Sequence, residues 1–395
     1  MDVFLTSPWI PAEWIRAHGL TPHSLWSRPD FQPGAGAIAA GVCALAEAAV
    51  RLAEARPDAA VIFSTSCDQL RRDFDIAVLH GLPRAFLFNL PATGQTAVAE
   101  PMFRSELERL GQFLLTLGGR KPTPETLRQE MRQTGATREC LLETAPTSPA
   151  RKFAEAMARY HWDGTFLPIP PAPPQPQQIP LALVGGPLLA AHWKWLDEIE
   201  AAGGRVVLNA TETGERSLPP AFEFESPGDE GAAATTKPFD VLVRGYCHHI
   251  ADVFQRPNTR LYAWLKTRIE ARHVRGIVLW HFTACDLWRA EAQTLHESFG
   301  LPVLLLEAGE EPGTAPRDRT RLQAFVETLH PQTGFEMGSA PAPGAVFRAL
   351  AENPGAPEGS NDSCQLHTQE DAGREGAASH ARGGRAPQLR NLPRP

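Results

Sequence analysis

LALVGGPLLAAHWKWLDEIEAAGGRVVLNA (Leu181–Ala210) decides the fold. LALVGG is a short apolar run closed by two glycines, LLAAHWKWLDEIEAAGG has helix-forming composition, and RVVLNA is β-branched again. Strand, helix and strand in that succession make a βαβ unit, whose two strands must run parallel. Toward the C-terminus the sequence predicts further strands at FDVLVRG (Phe239–Gly245), RGIVLWH (Arg275–His281) and LPVLLLE (Leu301–Glu307), with helical runs between them. Toward the N-terminus the same alternation appears at AAVIFS (Ala59–Ser64) and RAFLFNLP (Arg84–Pro91), followed by helix-like stretches at Phe103–Leu117 and between Pro124 and Tyr160.

The expected class is therefore α/β: two Rossmann-like, doubly wound parallel-sheet domains with an additional helical region and a disordered C-terminal tail. IPPAPPQPQQIP (Ile169–Pro180) lacks backbone donors at its prolines and reads as a linker. It places an N-terminal domain at 1–168 and a C-terminal domain at 181–335. From 336 to 395 the composition turns to Ala, Pro, Gly, Ser and scattered charge, which cannot bury enough apolar surface to order the chain. The stretch Phe224–Pro238 reads as a flexible surface loop.

A net charge of −7 over 395 residues, without clustered Lys and Arg, argues against nucleic acid as a partner. No apolar run approaches the ~20 residues that span a bilayer, and the first residues lack a signal-peptide pattern, so a cytoplasmic, non-membrane protein is expected. Six scattered cysteines do not form a disulfide framework and should be thiols or metal ligands. The sequence has no G-x-x-x-x-G-K-[ST], G-x-S-x-G or H-E-x-x-H motif, and GAGAIA (Gly34–Ala39) follows DFQP rather than a strand, outside the dinucleotide-binding context.

Two cysteines occupy matching places. Cys67 follows AAVIFS in STSCDQLRR, and Cys285 follows GIVLWH in FTACDLWRA. Each opens a predicted helix just past the carboxyl end of a strand, where α/β sheets collect functional groups. Helix N-terminal N–H groups favour the thiolate, the ligand that iron–sulfur clusters require. The competing expectation is a buried thiol acting as a small apolar side chain. That packing role is the ordinary expectation for Cys43, inside the Ala-rich, helix-favouring run Gly36–Glu54. Cys247, in VLVRGYCHHI, follows a predicted strand and is flanked by His248 and His249, so a zinc or mixed-ligand site is a further option there. Cys140 lies in a charged helical stretch and Cys364 in the tail, and neither has a ligand context. Trp193 and Trp195 fit packing or a partner surface better than cofactor binding.

Taken in order, several segments resemble the 2-hydroxyacyl-CoA dehydratase D-component family, which includes the cluster-bearing subunits of benzoyl-CoA reductase. They are IPAEWIRAHGLTP (Ile10–Pro22), STSCDQLRR, FNLP (Phe88–Pro91), and Leu181–Arg216 with its GG and TGER. GIVLWHFTACDLWRAEAQTLHESFGLPVLLLE (Gly276–Glu307) and RDRTRLQAFVETL (Arg317–Leu329) complete the set. The resemblance runs from about Pro11 to Leu329. Where members often carry a polar or cysteine-bearing segment before Pro-x-Glu, this chain has TSPWI (Thr6–Ile10).

The resemblance implies a [4Fe–4S] cluster on Cys43, Cys67 and Cys285, with one iron left for a non-cysteine ligand such as a thioester carbonyl. It implies one-electron reduction of an acyl-CoA to a ketyl radical, which allows the 2- or 3-hydroxyl to leave. The implied partners are an ATP-dependent iron–sulfur activator and a paralogous subunit or second copy. Catalytic residues and those that grip coenzyme A are not assignable from sequence. The other readings are a non-catalytic or electron-transfer iron–sulfur subunit, a double-cubane-type reductase, and a zinc-binding or metal-free α/β binding protein.

Overall fold

The computed structural model describes residues 1–31, 43–172, 175, 177–222, 224, 237–308 and 316–330. The first stretch runs β1 (Asp2–Leu5), α1 (Ala12–Ala17), β2 (Thr21–Ser24), α2 (Ala44–Ala55), β3 (Ala60–Ser64), α3 (Asp68–Leu79) and β4 (Ala85–Phe88). Three long helices follow: α4 (Ala99–Thr116), α5 (Pro124–Thr144) and α6 (Ala150–Asp163). Beyond the Pro-rich segment come β5 (Ile179–Gly185), α7 (Lys194–Ala201), β6 (Gly204–Thr211), α8 (Pro238–His249), α9 (Thr259–Ala271) and β7 (Gly276–Phe282). The short α10 (Asp286–Arg289), then α11 (Glu291–Phe299), β8 (Val303–Ala308) and α12 (Pro316–Leu329) complete the described elements.

Two four-stranded sheets form, ordered β2-β1-β3-β4 and β6-β5-β7-β8, and every pairing is parallel. The two orders are equivalent, with β1 standing where β5 stands and β3 where β7 stands. Strand residues alternate between cores, as a period of two requires. Phe4, Val61, Phe63, Leu181, Leu183, Val278 and Trp280 share one apolar core, reached from both sheets. Their neighbours Val3, Leu5, Ala60 and Ile62 bury into a second core. On the other sheet, Ala182, Val184, Ile277 and Leu279 bury into a third, with α9 and α11. Both faces of both sheets are thus covered, which explains why the strands read as continuous apolar runs.

FDVLVRG is not a strand. It forms most of α8, with Pro238 in the first turn and Leu242, Val243, Tyr246 and Cys247 buried. Phe239, Leu242, Val243, Tyr246 and Ile250 recur at the three- and four-residue spacing of one helix face. That face packs into the core of the first sheet, against α4 and α5, so the helical period prevails over β-branched composition. α8 is also pinned by polar contacts: Asp240 pairs with Arg104 at 2.7 Å, and the Tyr246 hydroxyl donates to Glu13 Oε2 at 2.7 Å. Arg138 completes this fully buried cluster, paired with Glu13 and donating to the Tyr160 and Tyr246 hydroxyls, each at 2.8 Å.

The short β1 and β2 go beyond the predicted strands. Pro22 sits in β2, at the sheet edge where a missing donor is tolerated. GAGAIA, most of Phe224–Pro238 and the segment 336–395 lie outside the described residues.

Candidate functional site: a cavity bearing three thiols

In each sheet the chain reverses its direction of build at the central pair, β1/β3 in one and β5/β7 in the other. Such switch points open a crevice at the carboxyl ends of the strands. Cys67 lies three residues past Ser64 at the end of β3, and Cys285 three residues past Phe282 at the end of β7. Each is the residue that begins the next helix, Cys67 for α3 and Cys285 for α10. The matched pair predicted from sequence therefore occupies matched corners of the fold.

Cys43 is not inside a helix as its Ala-rich surroundings suggested. It caps α2 in extended conformation, and its Sγ accepts from Ala46 N at 3.4 Å. The Cys67 Sγ accepts from Gln69 N at 3.3 Å, and the Gln69 side chain accepts from Cys43 N at 3.0 Å, tying two of the corners together. Ala284, directly before Cys285, is held at φ 66°, in the left-handed region that a residue with a Cβ seldom adopts. This local strain, sustained by the surrounding fold, sets the direction in which the Cys285 corner turns.

All three cysteines line one cavity of about 380 Å³. Its walls include Trp26, Leu45, Leu70, Phe254 and Trp288, with Glu212 and Asp252 entering from the second sheet's side. Burial pushes the thiol of Cys67 up to about 12 and that of Cys285 up to about 11, and it raises Cys43 as well. Backbone N–H groups at the helix starts oppose this, but desolvation outweighs them, and the three sulfurs further disfavour charge on one another. The helix-start N–H groups act in the expected direction, towards the thiolate, and desolvation acts against them.

The TGER segment (Thr213–Arg216) directly follows the cavity residue Glu212 and fixes the backbone around it. Thr213 Oγ1 accepts from Leu188 N at 3.0 Å. At Gly214 a Cβ would fall 2.3 Å from the Asn209 carbonyl, so only glycine fits. Glu215 holds Arg272 through both oxygens, at 2.6 and 2.7 Å. The fully buried Arg216 donates to the carbonyls of Gly185, Ala210 and Ala251 at 2.9, 3.0 and 3.1 Å, and to Asp252 Oδ2 at 2.6 Å. Its guanidinium lies 4.8 Å from the centre of the Trp288 ring. One side chain thus fastens the ends of β5 and β6 to the loop after α8, directly behind the cavity wall.

Cys247 stands apart from the three, fully buried on α8 in the core of the first sheet. Its neighbour His248 pairs with Glu100 at 2.9 Å, and His249 is exposed. Cys140 is exposed on α5, and Cys364 lies outside the described residues. Trp195 is buried and Trp193 packs against the same apolar core. Among the described residues no group of three His, Cys, Asp or Glu is gathered as a single-ion site. Nor is any described helix long and apolar enough to cross a membrane. Sequence reasoning missed Trp26, Glu212, Asp252 and Arg256 as cavity residues; only TGER, adjoining Glu212, pointed to the region.

The fold and site define an α/β protein of two equivalent parallel sheets whose switch points share a three-thiol cavity. Residues 9–329 match the family model of 2-hydroxyglutaryl-CoA dehydratase, D-component, and the chain belongs to that family. The name denotes one component of a dehydratase, which implies companion subunits. No curated protein matches the chain.

Proposed function

We propose that this chain is the iron–sulfur subunit of a cytoplasmic 2-hydroxyacyl-CoA dehydratase or benzoyl-CoA reductase-like enzyme, with Cys43, Cys67 and Cys285 holding a [4Fe–4S] cluster. The observation that carries this reading is the convergence of three helix-capping cysteines on one cavity, two of them from equivalent corners of equivalent sheets. The donor set fits the group: thiolate sulfur is the ligand such clusters take, and a cubane offers each cysteine a different iron. When bound, the cluster supplies one-electron chemistry at low potential.

The chain's own groups prepare the site. The N–H groups of Ala46 and Gln69 already point at two sulfurs, and such donors stabilise negative charge on cluster ligands. Trp26, Phe254 and Trp288 give the cavity apolar walls. Arg216 ties the ends of β5 and β6 to the Ala251–Asp252 loop through its four acceptors, which fixes Asp252 in the cavity wall. The companions in this reading are a paralogous subunit or second copy, an ATP-dependent activator that delivers the electron, and an acyl-CoA substrate. We read each sheet as a Rossmann-like doubly wound unit, with the expected domains 1–168 and 181–335 joined by 169–180 except that α8 of the second stretch belongs to the core of the first sheet.

The test is iron and acid-labile sulfide content after strictly anaerobic purification. About four of each per chain is expected for a cubane, with loss in Cys43→Ser, Cys67→Ser and Cys285→Ser but not in Cys247→Ser. Stoichiometric zinc, or no metal after anaerobic reconstitution, sinks the reading.

A further inference from the structure

Resting on the acyl-CoA reading above, we infer that Glu212 is the proton-transferring group of the three-thiol cavity, supplied through a small polar chamber behind it. Glu212 and Trp26 line both spaces and form the partition between them. The chamber, of about 50 Å³, has room for about three waters. Its lining carries the hydroxyls of Ser7, Ser24, Tyr160, Ser217 and Tyr246 together with Arg138. The Arg138 side chain is 1% exposed and its Nη1 has no partner among the described residues, which leaves one buried donor for a water to accept. Arg16, 25% exposed, also belongs to the lining, so the chamber reaches from Glu212 toward bulk solvent.

The other carboxylates of the cavity are committed elsewhere. Asp252 is paired with Arg216 at 2.6 Å and accepts from Phe254 N at 2.8 Å. Asp68 and Asp286 are exposed, in contact with bulk water. Glu212 meets Arg216 Nη2 only at 4.0 Å, and that nitrogen donates to the Gly185 carbonyl. The remaining cations of the two spaces are engaged as well: Arg256 with Glu291 at 2.9 Å, Arg16 with Glu130 at 3.1 Å, and Arg138 with Glu13. His161, whose Nε2 lies 2.9 Å from Ser217 Oγ, is kept neutral by burial, which lowers its pKa to about 3. No close ion pair among the described residues therefore fixes Glu212 as a carboxylate. Burial, helped by Asp252 and opposed by Arg216, pushes it up to about 7, where a carboxyl both holds and yields a proton near neutrality.

Dehydration of a 2-hydroxyacyl thioester breaks the C–O bond at C2 and a C–H bond at C3. The oxygen leaves with its bonding pair, the C–H pair becomes the double bond, and one proton passes from carbon to oxygen to complete water, with no net gain or loss of electrons. Glu212 gives its proton to the leaving oxygen, and its carboxylate then takes the proton from C3, which returns the group to its starting state. Chamber water exchanges that proton with solvent between turnovers.

The test compares wild type with Glu212→Gln and Glu212→Asp in two measurements. Infrared titration of the anaerobic full chain, which needs no substrate, is expected to show a protonated carboxyl that titrates near pH 7 and is lost in Glu212→Gln, while the contribution of Asp73, which burial also raises to about 7, persists in both. With activator and companion subunit present, turnover of 2-hydroxyglutaryl-CoA and 2-hydroxyhexanoyl-CoA is expected to fall at least about a hundredfold in Glu212→Gln, at unchanged iron and sulfide content, with Glu212→Asp in between. A titration that Glu212→Gln leaves unmoved overturns the inference, as does turnover within about threefold of wild type in that variant. If wild type turns over neither thioester, the acyl-CoA reading itself falls and the proton role with it, whatever the infrared titration shows.

Discussion

Arg216 should be among the most costly positions in the protein to change. Replacing it with Met strands three carbonyls that have lost their guanidinium donor and leaves Asp252, itself 8% exposed, without its ion-pair partner. Each buried acceptor left unsatisfied costs about 1–3 kcal/mol, and removing one partner of a buried pair costs about 3–5 kcal/mol. Local relaxation and the apolar contact of Met with Trp288 return part of this, so a net loss of about 4–6 kcal/mol is expected for Arg216→Met. Lys keeps the charge but not the planar fork, and an ammonium cannot serve four acceptors on three sides; Arg216→Lys should lose about 2–3 kcal/mol. Because a domain has only about 5–15 kcal/mol in total, the Lys variant keeps the measurement possible if the Met variant does not fold. The assay is guanidinium unfolding followed by circular dichroism, with the Asp252→Asn single and double variants closing a cycle. Coupling between Arg216 and Asp252 of about 2 kcal/mol or more is expected. A loss below about 1 kcal/mol in Arg216→Met would refute the reasoning, since it would mean that water already reaches the fork.

His192 is 3% exposed, has no partner for either ring nitrogen, and sits 5.0 Å from Trp280 and 5.5 Å from Phe282, ring centre to ring centre. Burial lowers its pKa to about 4, so between there and the ordinary imidazole value near 6.5 the unfolded chain binds a proton that the folded chain refuses. Stability therefore falls as pH drops through that window, and His192→Leu should gain about 2 kcal/mol relative to wild type on going from pH 7 to pH 5, read from urea midpoints. An unchanged difference between the two pH values would contradict this. In metal-free protein, the half-buried thiols of Cys67 and Cys285, raised by desolvation, should react with iodoacetamide at pH 8 at least about a hundredfold more slowly than exposed Cys140, followed by peptide mass spectrometry. Gly185, at φ 145°, lets the end of β5 approach β7 so closely that a Cβ would stand 1.8 Å from the Trp280 carbonyl. Gly185→Ala should accordingly cost at least about 3 kcal/mol or abolish soluble expression, and a thermal midpoint near that of wild type would show that the strands can part freely.

Most of the sheet scaffold was legible because parallel strands buried on both faces leave continuous runs such as AVIFS and GIVLWHF. Cys67 and Cys285 stood out for a local reason, since strand, cysteine, aspartate and helix recur at one offset. The start of α2 at Cys43 was hidden because alanine continues on both sides of it and nothing in the composition marks an end. FDVLVRG was misread because four of its seven residues, Phe239, Val241, Leu242 and Val243, are large and apolar, and only the three- and four-residue spacing that continues to Tyr246 and Ile250 separates a helix face from a strand. β1 and β2 have four residues each, too few for any period to show. Glu212, Asp252 and Arg256 come to the cysteines from loops far away in sequence, and their role in the cavity wall exists only once the second sheet is in place.

The placement of α8 has a consequence for how this molecule can move and how it can have arisen. A helix from the second stretch of chain completes the core of the first and is fastened there through Glu13, Arg104 and Arg138. The two sheets are therefore cross-threaded rather than strung in series, and cutting the chain in the Pro-rich segment would give one fragment lacking a wall and another carrying an orphan helix. Neither half could be traded between genes without taking part of the other along. A wide swing of the sheets about that segment would have to pull α8 from its socket, so anything that enters the cavity must do so by shifting loops while the frame stays shut.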